Sequence, residues 1–91
     1  MMKPDEAYNL VNNDTNVKDE IAAGIYYKDI GSRKGLTISQ SNIEYQASST
    51  NVKNVYTSKA ISDIRKLVTE GYIKISRQTQ DVEVATEKAN L

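Results

Sequence analysis

Between Thr57 and Glu70, the apolar residues Ala60, Ile61, Ile64, Leu67 and Val68 recur at the three- and four-residue spacing of one helical face, while Lys59, Asp63, Arg65, Lys66 and Glu70 fall elsewhere. Nothing else in the chain constrains its fold as tightly. Thr57 or Ser58 can accept from the free N–H groups at the start of such a helix. Gly71 can adopt the left-handed conformation at its end, returning Tyr72 onto Leu67 in a Schellman-type stop. From Tyr72 to Arg77 the chain alternates polar and apolar residues, so Ile73 and Ile75 point to one side and share a buried face with the helix. The sequence predicts helix, glycine turn and strand as one unit.

Upstream, the pattern reads as strands. Ile and Val together number 16 against four Leu, a bias toward residues that suit a pleated, half-buried surface. Ala23 to Ile30 is rich in such residues, and Gly31-Ser32-Arg33-Lys34-Gly35 brackets a turn before Leu36-Thr37-Ile38-Ser39 resumes the alternation. Gln40-Ser41-Asn42 and Ser48-Ser49-Thr50-Asn51 mark further turns, around Ile43 to Gln46 and before Val52 to Tyr56. Residues 1 to 20 offer Pro4 as a helix start and Ala7, Leu10 and Val11 on one side, enough for a short helix inside a polar arm. Residues 78 to 91 carry few apolar anchors and read as a second arm.

The expected fold is therefore a single α+β domain: a small antiparallel sheet or partly open barrel of about four or five short strands, with one helix over 57–70 packed on it. Residues 1–20 and 78–91 are expected to be extended arms flanking a core at 21–77. The expected interior comprises Ile25, Ile30, Leu36, Ile38, Ile43, Ile61, Ile64, Leu67, Val68, Ile73 and Ile75.

Composition excludes most chemistry. With no His and no Cys, the chain lacks an imidazole base, a thiolate nucleophile, an ordinary zinc site and a disulfide framework. The carboxylate pairs Asp5/Glu6, Asp19/Glu20 and Asp81/Glu83 all fall in the expected arms, where exposure leaves nothing to tune them. Gly31 to Gly35 lacks the spacing of a phosphate loop, and Asp14, Asn16, Asp19 and Glu20 lack the regular acids, central glycine and closing glutamate of a calcium loop. We expect no enzyme, no cofactor and no metal. No apolar run approaches the roughly 20 residues of a membrane span, and the acidic start Met1-Met2-Lys3-Pro4-Asp5-Glu6 is unlike a signal peptide, so an intracellular product is expected.

Two resemblances bear on function. The run Ile64-Arg65-Lys66-Leu67-Val68-Thr69-Glu70-Gly71-Tyr72-Ile73 is similar to the end of the recognition helix and the start of the wing in winged-helix DNA-binding domains. That resemblance implies Lys59, Arg65 and Lys66 on phosphates, but a winged helix needs two earlier helices where this sequence reads as strands. The arrangement as a whole, over Ala23 to Arg77, looks like small accessory virion proteins of tailed bacteriophages, which decorate capsids or complete the neck and tail. It implies a non-catalytic subunit, assembled in the host cytoplasm, bound through arms and strand edges to a larger shell or tube protein or to copies of itself. Neither a small-molecule substrate nor a membrane enters this reading, and nucleic acid belongs to the alternative.

The zero net charge conceals a pattern. Residues 1 to 20 carry 2 positive and 5 negative groups, residues 21 to 77 carry 9 and 4, and residues 78 to 91 carry 1 and 3. The acidic flanks are thus expected to complement basic centres of neighbouring copies.

Overall fold

Helical spacing among the first apolar positions runs further than the expected short helix and polar arm. Ala7 and Val11 stand four apart, and Val17, Ile21 and Ile25 repeat that interval, placing both sets on single helical faces that are buried. The computed structural model, which describes residues 1–84, accordingly begins with two helices, α1 (Pro4–Asn13) and α2 (Thr15–Tyr26). Pro4 opens α1, where its missing N–H removes no bond. Asp14 separates the two helices and caps the second, its carboxylate accepting from the N–H groups of Asn16 at 3.0 Å and Val17 at 3.3 Å.

Helix α2 does not stop at Tyr26. It continues through a π-helical turn (Tyr27–Gly31) and a 3₁₀ turn (Ser32–Lys34) to Gly35, whose φ of +76° lies in the left-handed region. The Leu36 N–H then returns to the Gly31 carbonyl at 3.0 Å. Thr37 and Gln40 form a reciprocal capping box at the start of α3 (Ile38–Gln46), and Ser49 caps α4 (Thr50–Thr69) through the Val52 N–H at 3.3 Å. Gly71, at φ +72°, ends α4 as expected: its N–H reaches the Val68 carbonyl and that of Tyr72 reaches Leu67, both at 3.0 Å. A hairpin closes the described fold, with β1 (Ile73–Ile75) antiparallel to β2 (Val82–Val84) in the register Ile73 to Val84 and Ile75 to Val82.

The expected sheet or barrel of four or five strands with one helix is corrected to four α-helices and a two-stranded sheet. Ala23 to Ile30 lies in α2 and its π-helical continuation, Ile43 to Gln46 in α3, and Val52 to Tyr56 in the first two turns of α4. The physical reason is burial. β-branched residues lose a few tenths of a kcal/mol in a helix, whereas sealing an Ile or Val side chain from water gains about 1.5–3 kcal/mol. The 3.6-residue spacing of Val17, Ile21 and Ile25 therefore outweighs their strand preference.

Residues 1–20 are likewise part of the fold rather than an extended arm. Helices α1 and α2 both pack along α4, and Met2, Ala7, Val11, Val17 and Ile21 join the interior with Ala60, Ile64, Leu67 and Val68. Of the expected core, Ile25, Ile64, Leu67, Val68, Ile73 and Ile75 are buried, and Ile30 and Ile61 pack at its edge, partly buried like Leu36. Ile38 and Ile43 are exposed, at 38% and 70%. Of the expected C-terminal arm, 78–84 forms the hairpin turn and β2, and 85–91 lies outside the described residues.

Candidate functional site

Three tyrosines from three helices set the geometry of the α2, α3 and α4 junction. Tyr26, Tyr45 and Tyr56 meet with ring centroids 5.3, 5.3 and 6.1 Å apart, in tilted and edge-to-face contacts. The Tyr26 hydroxyl donates to the Glu44 carboxylate at 2.8 Å, and the Lys34 ammonium donates to the other oxygen of that carboxylate at 2.7 Å. These two bonds, the Lys34 bond first, hold the Glu44 carboxyl below its ordinary range. Burial, and then the bond to Glu44, pushes the Tyr26 phenol up to about 12. Helix α3 is thus pinned by its inner residues, Ser41, Glu44 and Tyr45, and turns the remainder of its surface outward.

That outer surface carries no charge. Between Lys34 and Lys53 the single charged residue is Glu44, which faces inward to Tyr26 and Lys34. Ile38, Ser39, Gln40, Asn42, Ile43 and Gln46 face water on α3. The first turns of α4 expose Asn51, Asn54 and Val55, the last 52% exposed, beside the half-buried Lys53. Exposed aliphatics scattered singly are ordinary on any surface, but depletion of charge is the compositional mark of an interface centre. The sequence signal is a run of 18 residues, Gly35 to Val52, holding one charge, a stretch whose sequence reads as short strands joined by turns.

Two of the cations expected on phosphates are paired with acids of the same chain. Lys59 pairs with Asp29 at 3.3 Å, on the π-helical turn, and sits 5.4 Å from the Tyr56 ring centroid. Arg65 pairs with Asp5 at 2.9 Å and lies over the Tyr8 ring, 3.9 Å from its centroid, on the side of α4 covered by α1. Lys66 is exposed on the same face of α4 as Lys59, two turns on. Two of the three are therefore engaged by acids of the same chain, although exposed pairs of this kind are worth at most about 1 kcal/mol each.

The carboxylates are structural in the same way. Asp5 and Glu6 bind Arg65 and Arg77 at 2.9 Å each, so these two acids of the N-terminal flank complement the basic centre of their own chain. Asp19 accepts from Gln46 at 3.0 Å, and Asp14 caps α2. Among the described residues no three potential ligands come together to hold a metal ion, and no helix is long and apolar enough to cross a membrane. No protein-family model matches the chain, and neither curated proteins nor solved structures give a significant match.

Proposed function

We propose that this chain is a non-catalytic assembly protein that docks on a larger partner through the outer face of α3 and the adjoining first turns of α4. The observation that carries this reading is the uncharged surface bearing Ile38, Ile43 and Val55. Burying an aliphatic side chain of that size against a partner contributes about 1.5–3 kcal/mol. The setting we propose is the virion of a tailed bacteriophage, where a subunit of this size joins a shell or tube protein in the host cytoplasm. Small size and the lack of histidine and cysteine support that setting; the β-meander likeness and the N-terminal arm no longer do. Ile43→Asp tests the surface, because a side chain 70% exposed can be changed without unfolding the domain. Capture of the partner by tagged protein is expected to fall in this variant while the melting temperature stays put. Undiminished capture refutes the α3 surface, and absence of the protein from purified particles refutes the virion setting.

A second reading is favoured by one specific observation. Helices α2, α3 and α4 followed by the β1–β2 hairpin supply the helix order that a winged-helix DNA binder requires, which the sequence had appeared to lack. Its weakness is electrostatic: α3 presents no cation and the first turn of α4 only the half-buried Lys53, and affinity for a duplex comes chiefly from phosphate contacts. It requires duplex binding that falls steeply with salt and weakens in Lys59→Ala and Lys66→Ala. A flat response in low-salt titrations removes it.

A further inference from the structure

The two edges of the hairpin are not alike. On the β1 side, the Ile75 carbonyl points away from β2 and accepts the Met2 N–H at 3.1 Å, so the N-terminus covers that edge. An outward Ile75 carbonyl makes Ile75–Val82 a non-hydrogen-bonded pair, and the neighbouring Ser76 N–H donating to the Asp81 carbonyl at 3.0 Å fits that alternation. The backbone N–H and C=O groups of Val82 and Val84 therefore point outward from β2. Among the described residues nothing bonds to them.

Beside this edge runs a groove of about 450 Å³, lined by Glu20, Ala23 and Gly24 of α2, Ile38 and Asn42 of α3, and the two valines of β2. Its floor is apolar. Its charge comes from Glu20, which makes no ion pair among the described residues; partial desolvation, followed by the Asp81, Asp19 and Asp14 carboxylates, holds its carboxyl above the ordinary range. A groove that offers strand hydrogen bonds along one wall, apolar contacts below and an uncompensated acid at its rim specifies its occupant on three counts.

We infer that β2 accepts an extended peptide of a partner protein as a third strand, with alternating apolar side chains on Ala23 and Ile38 and a Lys or Arg against Glu20. This deepens the docking reading and rests on it, since the groove adjoins the uncharged face of α3 at Ile38 and Asn42. Main-chain bonds to Val82 and Val84 supply affinity, and the acidic rim selects the basic residue.

The probe is a blocked pentapeptide, acetyl-Val-Thr-Val-Thr-Lys-amide, whose valines and lysine share one strand face, titrated into the full-length, isotope-labelled chain. Saturable shifts of the Val82 and Val84 amide signals are expected, with a version carrying glutamate in place of the lysine binding more weakly. Val82→Pro removes an outward N–H without breaking a bond to β1, and loss of that one bond is expected to weaken binding by roughly fivefold. Should Val82→Pro not fold, Glu20→Lys decides: it relieves the acidic crowding and must reverse the preference between the two peptides. No shift at Val82 or Val84 up to ~1 mM peptide, or an unchanged charge preference in Glu20→Lys, overturns the inference. Partner capture that survives both substitutions but is lost in Ile43→Asp overturns the strand site and leaves the docking reading standing.

Discussion

Gly31 and Ser41 approach so closely that a methyl carbon added at position 31 would lie 2.6 Å from the Ser41 Cβ and nearer still to its hydroxyl. This contact holds α3 against the π-helical end of α2, and Ser41 is buried completely. Gly31→Ala is expected to cost about 1–3 kcal/mol through overpacking, because the obstacle is a β-carbon on a helix rather than the end of a flexible side chain. Adding Ser41→Gly should recover part of that loss. A double-mutant cycle by chemical denaturation reads the coupling, and strict additivity would refute the contact.

Removal of residues 1 to 13 is expected to abolish the cooperative thermal transition. Ala7 and Val11 are fully buried against α4, Met2 bonds to Ile75, and Asp5 and Glu6 pair with Arg65 and Arg77. Exposing the face of α4 that they cover forfeits several kcal/mol, a large part of the roughly 5–15 kcal/mol available to any small domain. Circular dichroism of the truncated chain checks this; an unchanged melting curve would restore the detachable arm.

Alkali should unfold the protein through its buried tyrosines. Burial, aided at Tyr26 by the bond to Glu44 and at Tyr72 by Tyr27 and Asp29, pushes both phenols up to about 12. An unfolded chain loses those protons near pH 10 while the folded one keeps them, so the unfolded state binds fewer protons in that window and stability falls as pH rises. The contribution is whole below pH 10 and drains away toward pH 12, by up to about 1.4 kcal/mol per pH unit for each tyrosine. Tyrosinate absorbance from these residues and loss of helical ellipticity should coincide. The Tyr72 hydroxyl is buried without a partner among the described residues, so Tyr72→Phe should also raise stability at neutral pH by about 1 kcal/mol. A destabilised Tyr72→Phe would show that the hydroxyl is satisfied.

The unit from Ala60 to Ile75 was legible because every local signal in it agreed: apolar spacing, a glycine stop with Tyr72 behind it, then clean alternation. Upstream the signals conflicted. Ile30-Gly31-Ser32-Arg33-Lys34-Gly35-Leu36 was read as a hairpin turn, yet Gly35 followed by Leu36 ends a helix just as Gly71 followed by Tyr72 does. The polar stretch around Asn13 and Asp14 looked like the end of ordered structure, whereas Asp14 is the cap that starts the next helix. For the candidate interface, the sequence yielded Lys59, Arg65 and Lys66 as a set, and the structure pairs two of them with acids of the same chain.

By itself the sequence determined the absence of histidine and cysteine chemistry, the helix that carries Ile64 and Leu67, its glycine stop and the inward side of β1. Those features depend on residue identity or on bonds within a few positions of the chain. Tertiary structure alone decided that Asp5 finds Arg65, that Tyr26, Tyr45 and Tyr56 share one junction, that Ile43 faces water, and that β2 keeps an open edge. Each of these depends on which helical face is covered by which neighbour. Hydrophobic burial settles that over the whole chain at once, and it can override the strand preference of any single Ile or Val.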